Sequence, residues 1–310
     1  MQMKMNRRGL IAIGLLTISG ILCLGMGAQL KRQGRLLAVH LLSGAHSKAA
    51  SAVAMTTLSP ALPVSVRQVQ NFNDSGPGSL RQTITEANAG DAILLGAAGT
   101  YSLTSGEITI DKDLRIFGFG VGRTVISGNN NSRIFLINAN VTIQLIDLVF
   151  VNGKSTQNGG AIYQSGGQLT LDKCELSNNT AAGMGGGVFT QNATLTLTTS
   201  RIVGNTTTGT AGAGIAADHS ALTLTDATIA NNSWTSCVGA GLHFLGAGNS
   251  STGATQQTAT LNTSTISGNA GAQGGGIYQA GGILRANNCT PFANKSRDRG
   301  TVRQLHFSQA

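Results

Sequence analysis

The chain has 310 residues, of which 43 are glycine, 41% are hydrophobic, 4% are aromatic and 11% are charged. Its formal net charge of +9 lies at the two ends: residues 1–54 hold seven Lys or Arg and no acid, and residues 295–310 hold four and one acid. Residues 55–294 then hold ten basic and eleven acidic residues, which excludes the basic surface that nucleic-acid binding requires. We expect no nucleic-acid partner.

An apolar stretch of 19 residues, 10–28, follows a basic segment that contains Lys4, Arg7 and Arg8. This order is typical of a cleaved secretory signal peptide, although 19 apolar residues are also enough to span a bilayer as an uncleaved anchor. The sequence leaves both alternatives open for residues 1–28. Both predict export of the rest of the chain to the cell surface or the extracellular space, with membrane contact only through an uncleaved anchor.

Residues 74–95, DSGPGSLRQTITEANAGDAILL, have the pattern of a short helix. Ser79 and Gln82 form a capping-box pair at its start, and Asn88-Ala89-Gly90 supplies a stop at its end. Three apolar residues lie at helical spacing: Leu80, Ile84 and Ala87. A stack of β-strands would expose apolar core at its first layer, so we expect this helix to cover that end.

A repeated unit follows, and most of its steps are 26 or 27 residues long. Each copy has an aliphatic residue after glycine or alanine: Ile162, Val188, Ile215, Leu242 and Ile277. Each copy also closes on an asparagine, which gives the series Asn152, Asn179, Asn205, Asn232, Asn269 and Asn294. A polar insertion, residues 246–257, accounts for the longest step. A fixed period interrupted by loop-like insertions indicates a repeat architecture.

Short alternating runs such as Leu169-Thr170-Leu171 predict strands inside each copy, with Leu on one face and Thr on the other. One copy has too few apolar residues to bury a core, but copies stacked at ~4.8 Å share a continuous interior. The predicted fold class is all-β, a right-handed parallel β-helix with a short N-terminal capping helix. We place the β-helix at residues 68–294, after a low-complexity linker at 29–67 and before an irregular basic tail at 295–310.

The recurring asparagines fit this fold as a structural ladder. An Asn side chain carries both a donor and an acceptor, so identical side chains one coil apart can hydrogen-bond to each other. We predict that all six asparagines of the series stack in this way.

The segment GSLRQTITEAN…GDAI resembles the GSLREAI…AN…GDTI segment that opens many bacterial secreted β-helix proteins. The GGAI and IxxN elements resemble the repeats of polymorphic outer membrane proteins. Together these similarities cover roughly residues 68–294. The resemblance implies a parallel β-helix and export, and it implies no particular activity, because the family is functionally diverse.

The repeats offer few residues for catalysis or metal binding. From residue 121 to residue 294 the acids are Asp147, Asp172, Glu175, Asp218 and Asp226, and no two share a register on adjacent coils. Asp218 and His219 are neighbours, and neighbours in a strand point to opposite faces. No cluster of cysteine or histidine indicates a metal, and the thiols expected to stay buried and free are Cys174, Cys237 and Cys289. We therefore predict no catalytic residue, no metal and no cofactor.

One aromatic column is the candidate ligand site. Rings follow the aliphatic residue in four copies, at Tyr163, Phe189, His243 and Tyr278, and Ala216 interrupts the series. If the aliphatic residues point inward, these rings lie on one outer face. They then either pack on one another between coils or stack against a sugar, and the sequence leaves both alternatives open.

Two functions fit these patterns. The first is an exported structural or adhesive module that contacts polysaccharide or a cell-surface glycan. The alternative is a polysaccharide lyase or glycoside hydrolase of the pectate-lyase-like type, which would need carboxylates gathered on one face. The scattered acids favour the first. At the C-terminal end, Pro291 falls where a strand needs an amide donor, so we expect an irregular, truncated last coil.

Overall fold

The computed structural model describes residues 65–138, 140–234, 236–247 and 256–296. The predicted signal or anchor, nearly all of the linker and the tail from residue 297 lie outside these ranges. Within the described ranges, no helix has the length and apolar character needed to cross a membrane.

The elements before residue 160 are one helix and ten strands: β1 Val66–Val69, α1 Leu80–Glu86, β2 Asp91–Leu95, β3 Gly99–Ser102, β4 Ile108–Ile110, β5 Leu114–Phe117, β6 Thr124–Ser127, β7 Phe135–Ile137, β8 Thr142–Ile146, β9 Leu148–Val151 and β10 Lys154–Ser155.

The strands of the repeats are β11 Ile162–Ser165, β12 Gln168–Asp172, β13 Glu175–Ser177, β14 Thr180–Ala181, β15 Val188–Gln191, β16 Thr194–Thr198, β17 Arg201–Val203, β18 Thr206–Thr207, β19 Ile215–Asp218, β20 Ala221–Thr225, β21 Thr228–Ala230, β22 Leu242–Leu245, β23 Thr258–Asn262, β24 Thr265–Ser267, β25 Ala270–Gly271, β26 Ile277–Gln279, β27 Ile283–Asn287, β28 Thr290–Phe292 and β29 Lys295–Ser296.

The strands stack into parallel sheets, and successive strands of one sheet come from successive coils. Sheet 1 has nine strands, in the order β1-β2-β5-β8-β12-β16-β20-β23-β27, and sheet 2 has eight, in the order β3-β6-β9-β13-β17-β21-β24-β28. Sheet 3 has seven, in the order β4-β7-β11-β15-β19-β22-β26, and short two-residue strands form a minor fourth side. The prediction of a parallel β-helix is confirmed in these stacked coils.

The alternation inside each strand builds the core. Leu169 pairs with Ile143 and Leu195 on the neighbouring coils, and these three side chains are at most 1% exposed. The threonines between the leucines stay half-buried on the outer face. One apolar cluster runs from Val69 to Ile266. Stacking therefore makes the core that a single copy cannot make.

The helix α1 closes the first coil as predicted, because Leu80, Ile84 and Ala87 are buried in the main apolar cluster. Ser79 accepts a hydrogen bond from the Gln82 backbone N–H at 3.2 Å. The predicted capping box forms only in this half, since the Gln82 side chain donates to Glu86 instead.

The helix ends directly before the predicted stop at Asn88-Ala89-Gly90. Helix α1 ends at Glu86, and Ala87 already has extended backbone angles. Gly90, at φ +88°, turns the chain into β2 and donates its N–H to Asp113 on the next coil.

The first strand begins at Val66, two residues before the predicted boundary, and an ion pair holds it. Arg67 Nε lies 2.8 Å from a carboxylate oxygen of Asp91, whose side chain is fully buried. The Ser65 and Asn88 N–H groups also donate to that carboxylate. The hydrogen bond from Arg67, followed by the one from Asn88, lowers the pKa of Asp91 to about 2.

The last coil is more regular than predicted. Thr290 donates its N–H to the preceding coil, and Phe292 accepts a hydrogen bond from it through its C=O. The backbone of Pro291, between them, therefore points away from that coil. Because no partner strand lies on that side among the described residues, the missing N–H of Pro291 breaks no hydrogen bond between strands. Lys295 and Ser296 form β29, paired with Ala270 and Gly271, so the irregular tail does not begin at residue 295. The edge is nonetheless open, with Phe292 57% exposed.

Candidate functional site

An asparagine ladder runs through the turn after sheet 2. In each step a side-chain Nδ2 donates to the Oδ1 of the next asparagine, at 2.9 or 3.0 Å, along Asn179, Asn205, Asn232, Asn269 and Asn294. The same Oδ1 also accepts the backbone N–H of the preceding asparagine. The other hydrogen of each amide reaches a carbonyl of an earlier coil, as Asn205 Nδ2 reaches Leu176 O at 2.9 Å. The four rungs before Asn294 are fully buried.

Asn152 does not belong to the ladder, so its assignment was wrong. Its backbone is left-handed, at φ +54°, as is that of Asn178 at +56°, one coil later. The rung position in this coil is Gly153, which donates its N–H to Asn179 Oδ1 at 2.8 Å. A Cβ at Gly153 would lie 2.4 Å from Gly160 O and 2.9 Å from Asn179 Oδ1. No side chain fits there, and the ladder begins one coil later.

The aromatic residues of the predicted column do share one register on the outer face of sheet 3. Tyr163 pairs with Phe189, Phe189 with Ala216, Ala216 with His243, and His243 with Tyr278. The Tyr163 and Phe189 rings are stacked with centroids 5.2 Å apart, and the His243 and Tyr278 rings with centroids 5.6 Å apart. Packing of rings between coils is therefore what this column does first.

Two of the four rings are too deeply buried for a ligand to contact. Phe189 is 1% exposed and His243 is 9% exposed, so neither presents a ring face to solvent, contrary to the interpretation of all four as one outer stripe. Burial also lowers the pKa of His243, against the opposing charge of Asp218. Tyr163 and Tyr278 are half-buried and are the two members that a ligand can reach.

Tyr163 opens onto a cleft of about 620 Å³ on the outside of the early coils. Its other lining residues are Glu107, Arg133, Leu136, Gln157 and Asn158. A volume in this range suits a small ligand. The cleft combines an aromatic face, an aliphatic side chain, two amides and one ion pair.

Arg133 is the structural centre of this cleft. Its side chain is 8% exposed, and its Nη1 lies 2.6 Å from Glu107 Oε2. Its Nε donates to Gly159 O at 3.0 Å, and its Nη2 donates to Asn158 O at 2.9 Å and to Ser155 Oγ at 3.1 Å. The guanidinium carbon lies 5.2 Å from the Tyr163 ring centre. These contacts hold the ring and the Asn158 turn in place.

The remaining polar groups of the cleft differ from those of the ladder. Gln157 is exposed, and its side-chain amide has no hydrogen-bond partner among the described residues. Glu107 keeps its side chain 33% exposed. Tyr163 O–H donates to Gln191 Oε1 at 3.3 Å. The cleft thus offers hydrogen-bonding groups that the protein leaves open.

The sequence pattern did not point to Glu107 and Arg133, because both lie on early coils whose sequence resembles the repeats only weakly. The spacing of 26 residues between them, and again between Arg133 and Gly159, equals the repeat period. That spacing was a usable signal, because residues one period apart lie side by side on adjacent coils.

Among the acids of the repeats, Asp147 and Asp172 meet on adjacent coils, where the Asp147 N–H donates to the Asp172 carbonyl at 3.0 Å. Asp147 and Asp226 occupy the same left-handed corner position, with φ +56° and +51°. The two acids are three coils apart, about 14 Å at the strand spacing. Glu175 pairs with Arg201 at 3.7 Å. Paired carboxylates of glycosidases stand about 5–9.5 Å apart.

The expectation that Asp218 and His219 point apart was wrong. Strand β19 ends at Asp218, and His219 has a left-handed backbone at φ +48°. Its Nδ1 therefore turns back and lies 2.5 Å from Asp218 Oδ1. Gln191 Nε2 donates to the other carboxylate oxygen at 3.0 Å, which links this pair to Tyr163 through one side chain.

The described cysteines are free, with Cys174 and Cys237 buried and Cys289 half-buried. Burial raises the pKa of Cys174 to about 12 and raises that of Cys237, so these two thiols are unreactive. No group of three His, Cys, Asp or Glu that could hold a metal occurs among the residues that the structure describes.

No protein-family model and no curated protein matches this chain.

Proposed function

We propose that this protein is an exported cell-surface or extracellular β-helix that acts as a structural and adhesive module and contacts carbohydrate through the cleft at Tyr163. The observation that carries the proposal is the combination of a half-buried aromatic ring with open amide and carboxylate groups in one cleft. Sugars present both apolar ring faces and hydroxyl groups, so a ring flanked by donors and acceptors suits them.

Export is supported by the basic and apolar N-terminal segment and by the resemblance to bacterial secreted β-helix proteins. The test is fractionation of cells that express the full chain with a C-terminal tag. Recovery of the protein in the medium or on the surface supports export, and recovery in the cytoplasm alone refutes it.

Glycan contact is tested by affinity electrophoresis of the purified protein through a panel of neutral and acidic polysaccharides. We expect retardation by at least one glycan, and about tenfold weaker binding for Tyr163→Ala, a loss of about 1.4 kcal/mol. The control is Tyr278→Ala, a ring in the same column but outside the cleft, which should bind as the unaltered protein does. Absence of binding to every glycan overturns the proposal.

The same panel tests the alternative of a polysaccharide lyase or glycoside hydrolase. We expect no release of reducing or unsaturated ends, because the acids of the repeats are scattered. Turnover abolished by one Asp→Asn or Glu→Gln change would replace the adhesive module by the enzyme.

A further inference from the structure

The charges of the Tyr163 cleft determine what kind of sugar can enter it. Its lining contains one carboxylate, Glu107, and one guanidinium, Arg133, with 2.6 Å between the paired atoms. The two charges cancel each other, so the lining offers no net attraction to an ion of either sign.

The guanidinium is also committed geometrically. Four of its five N–H donors are bonded, to Glu107, Gly159, Asn158 and Ser155. The strongest recognition of a ligand carboxylate by arginine uses two parallel N–H groups directed at the ligand. Arg133 has no such pair of N–H groups left, and its side chain is only 8% exposed to solvent.

The groups that remain open are neutral or negative. Gln157 has an unpartnered side-chain amide among the described residues, and Asn158 uses its Oδ1 to accept the Met184 N–H at 2.8 Å, which leaves its Nδ2 as a donor. The Glu107 side chain is 33% exposed, and its charge is compensated by Arg133. Among the lining residues of the cleft, a ligand carboxylate or sulfate therefore meets no uncompensated cation.

We propose that the cleft selects an uncharged sugar and rejects uronates, and that Glu107 enforces the selection by neutralising Arg133. This inference rests on the proposed function and names its ligand class. It also separates this chain from binders of acidic polysaccharide, since a β-helix that takes acidic glycans needs cationic groups free to contact them.

The test uses two matched pairs of tetrasaccharides, each pair differing in charge: tetragalacturonate against its full methyl ester, and cellotetraose against its uronate form. Dissociation constants are measured by calorimetry on the full protein. We expect one neutral member to bind at least tenfold more tightly than its acidic partner. Equal or tighter binding of the acidic partner overturns the inference, as does failure of both neutral members to bind. The polysaccharide panel separates that failure from failure of the proposed function.

Two variants report on the role of charge. Glu107→Gln leaves the Arg133 charge uncompensated and should raise the affinity for the acidic sugars about tenfold relative to the affinity for their neutral partners. Gln157→Lys adds a cation at an exposed side chain and should do the same without disturbing a buried pair, which keeps the test valid if Glu107→Gln folds poorly. The control is Glu175→Gln, whose carboxylate pairs with Arg201 on sheet 2 and should change no affinity. Unchanged acidic-sugar binding in both test variants overturns the inference.

Discussion

The asparagine ladder and the Tyr163 cleft are both polar rows that cross neighbouring coils, but they treat their hydrogen-bonding groups in opposite ways. In the ladder, Asn205 donates twice through Nδ2 and accepts twice through Oδ1, all within the protein. Its side chain is fully buried. In the cleft, Gln157 is exposed and its amide is open among the described residues, and Glu107 keeps part of its carboxylate in solvent.

The difference shows how one repeat can serve both stability and binding. A buried amide is tolerated only when all its bonds are made, because an unmade bond costs about 1–3 kcal/mol. The ladder therefore stabilises the fold and has nothing left for a ligand. The cleft gains little stability from its open groups, and those groups are the ones that a ligand can satisfy.

The largest effect should come from breaking a rung. Asn232→Ala removes the acceptor of the Asn205 amide and the donor to Ile202 O, so we expect a loss of about 2–3 kcal/mol in the free energy of unfolding. The measurement is urea denaturation followed by circular dichroism. The control is Asn192→Ala, at an exposed turn residue with φ +50°, which should cost about 1 kcal/mol for its left-handed backbone. Equal losses would show that the ladder carries no special stability.

The buried carboxylate of Asp91 accepts hydrogen bonds from Ser65, Arg67 and Asn88. We therefore expect the stability of the protein to depend on pH. The folded pKa of Asp91, about 2, lies below the ordinary value of 3.8, so the stabilising contribution of this carboxylate is present above pH 4 and is lost as the pH falls to 2. Asp91→Asn should therefore be less stable than the unaltered protein at pH 7. The gap between the two unfolding free energies should close near pH 2. A gap that stays constant from pH 7 to pH 2 would contradict the assigned ion pair.

A smaller effect distinguishes the two halves of the capping box. Ser79→Ala removes the acceptor for the Gln82 N–H and should cost about 1 kcal/mol. Gln82→Ala removes only a contact with Glu86 at the exposed surface, so we expect a loss of a few tenths of a kcal/mol. Melting temperatures of the two variants provide the comparison. A larger loss for Gln82→Ala would mean that the reciprocal bond forms after all.

The parts of the fold that could be predicted are those whose residues recur at the same position in successive copies of the repeat. Leucines alternate with threonines, the period recurs, and the rung asparagines recur with it, so strands, coils and most of the ladder follow directly. Asn152 misled the register because the left-handed position also favours asparagine, as at Asn178. The strand register, which pairs Ser177 with Val151, places Gly153 and not Asn152 in line with Asn179.

The site was harder to predict because it depends on where strands end and on residues outside the clearest copies. His219 contacts Asp218 only because the strand stops between them, which a period-two pattern does not reveal. Phe189 shares the register of Tyr163 but is buried, so position in a column did not determine exposure. Glu107 and Arg133 belong to early coils whose sequence resembles the repeats weakly.

The most direct test of the contrast between the two rows measures stability and binding on the same three proteins: the unaltered chain, Asn232→Ala and Tyr163→Ala. Each is assayed by urea unfolding and, below its melting temperature, by calorimetric titration with cellotetraose and with the methyl ester of tetragalacturonate. We predict that Asn232→Ala loses stability and keeps its sugar affinity. Tyr163→Ala should lose less stability than Asn232→Ala, because its ring is half-buried and stacked on Phe189, and it should bind about tenfold more weakly. Binding that survives in Tyr163→Ala, or that is lost in folded Asn232→Ala, would contradict the division of the polar rows into one that stabilises and one that binds.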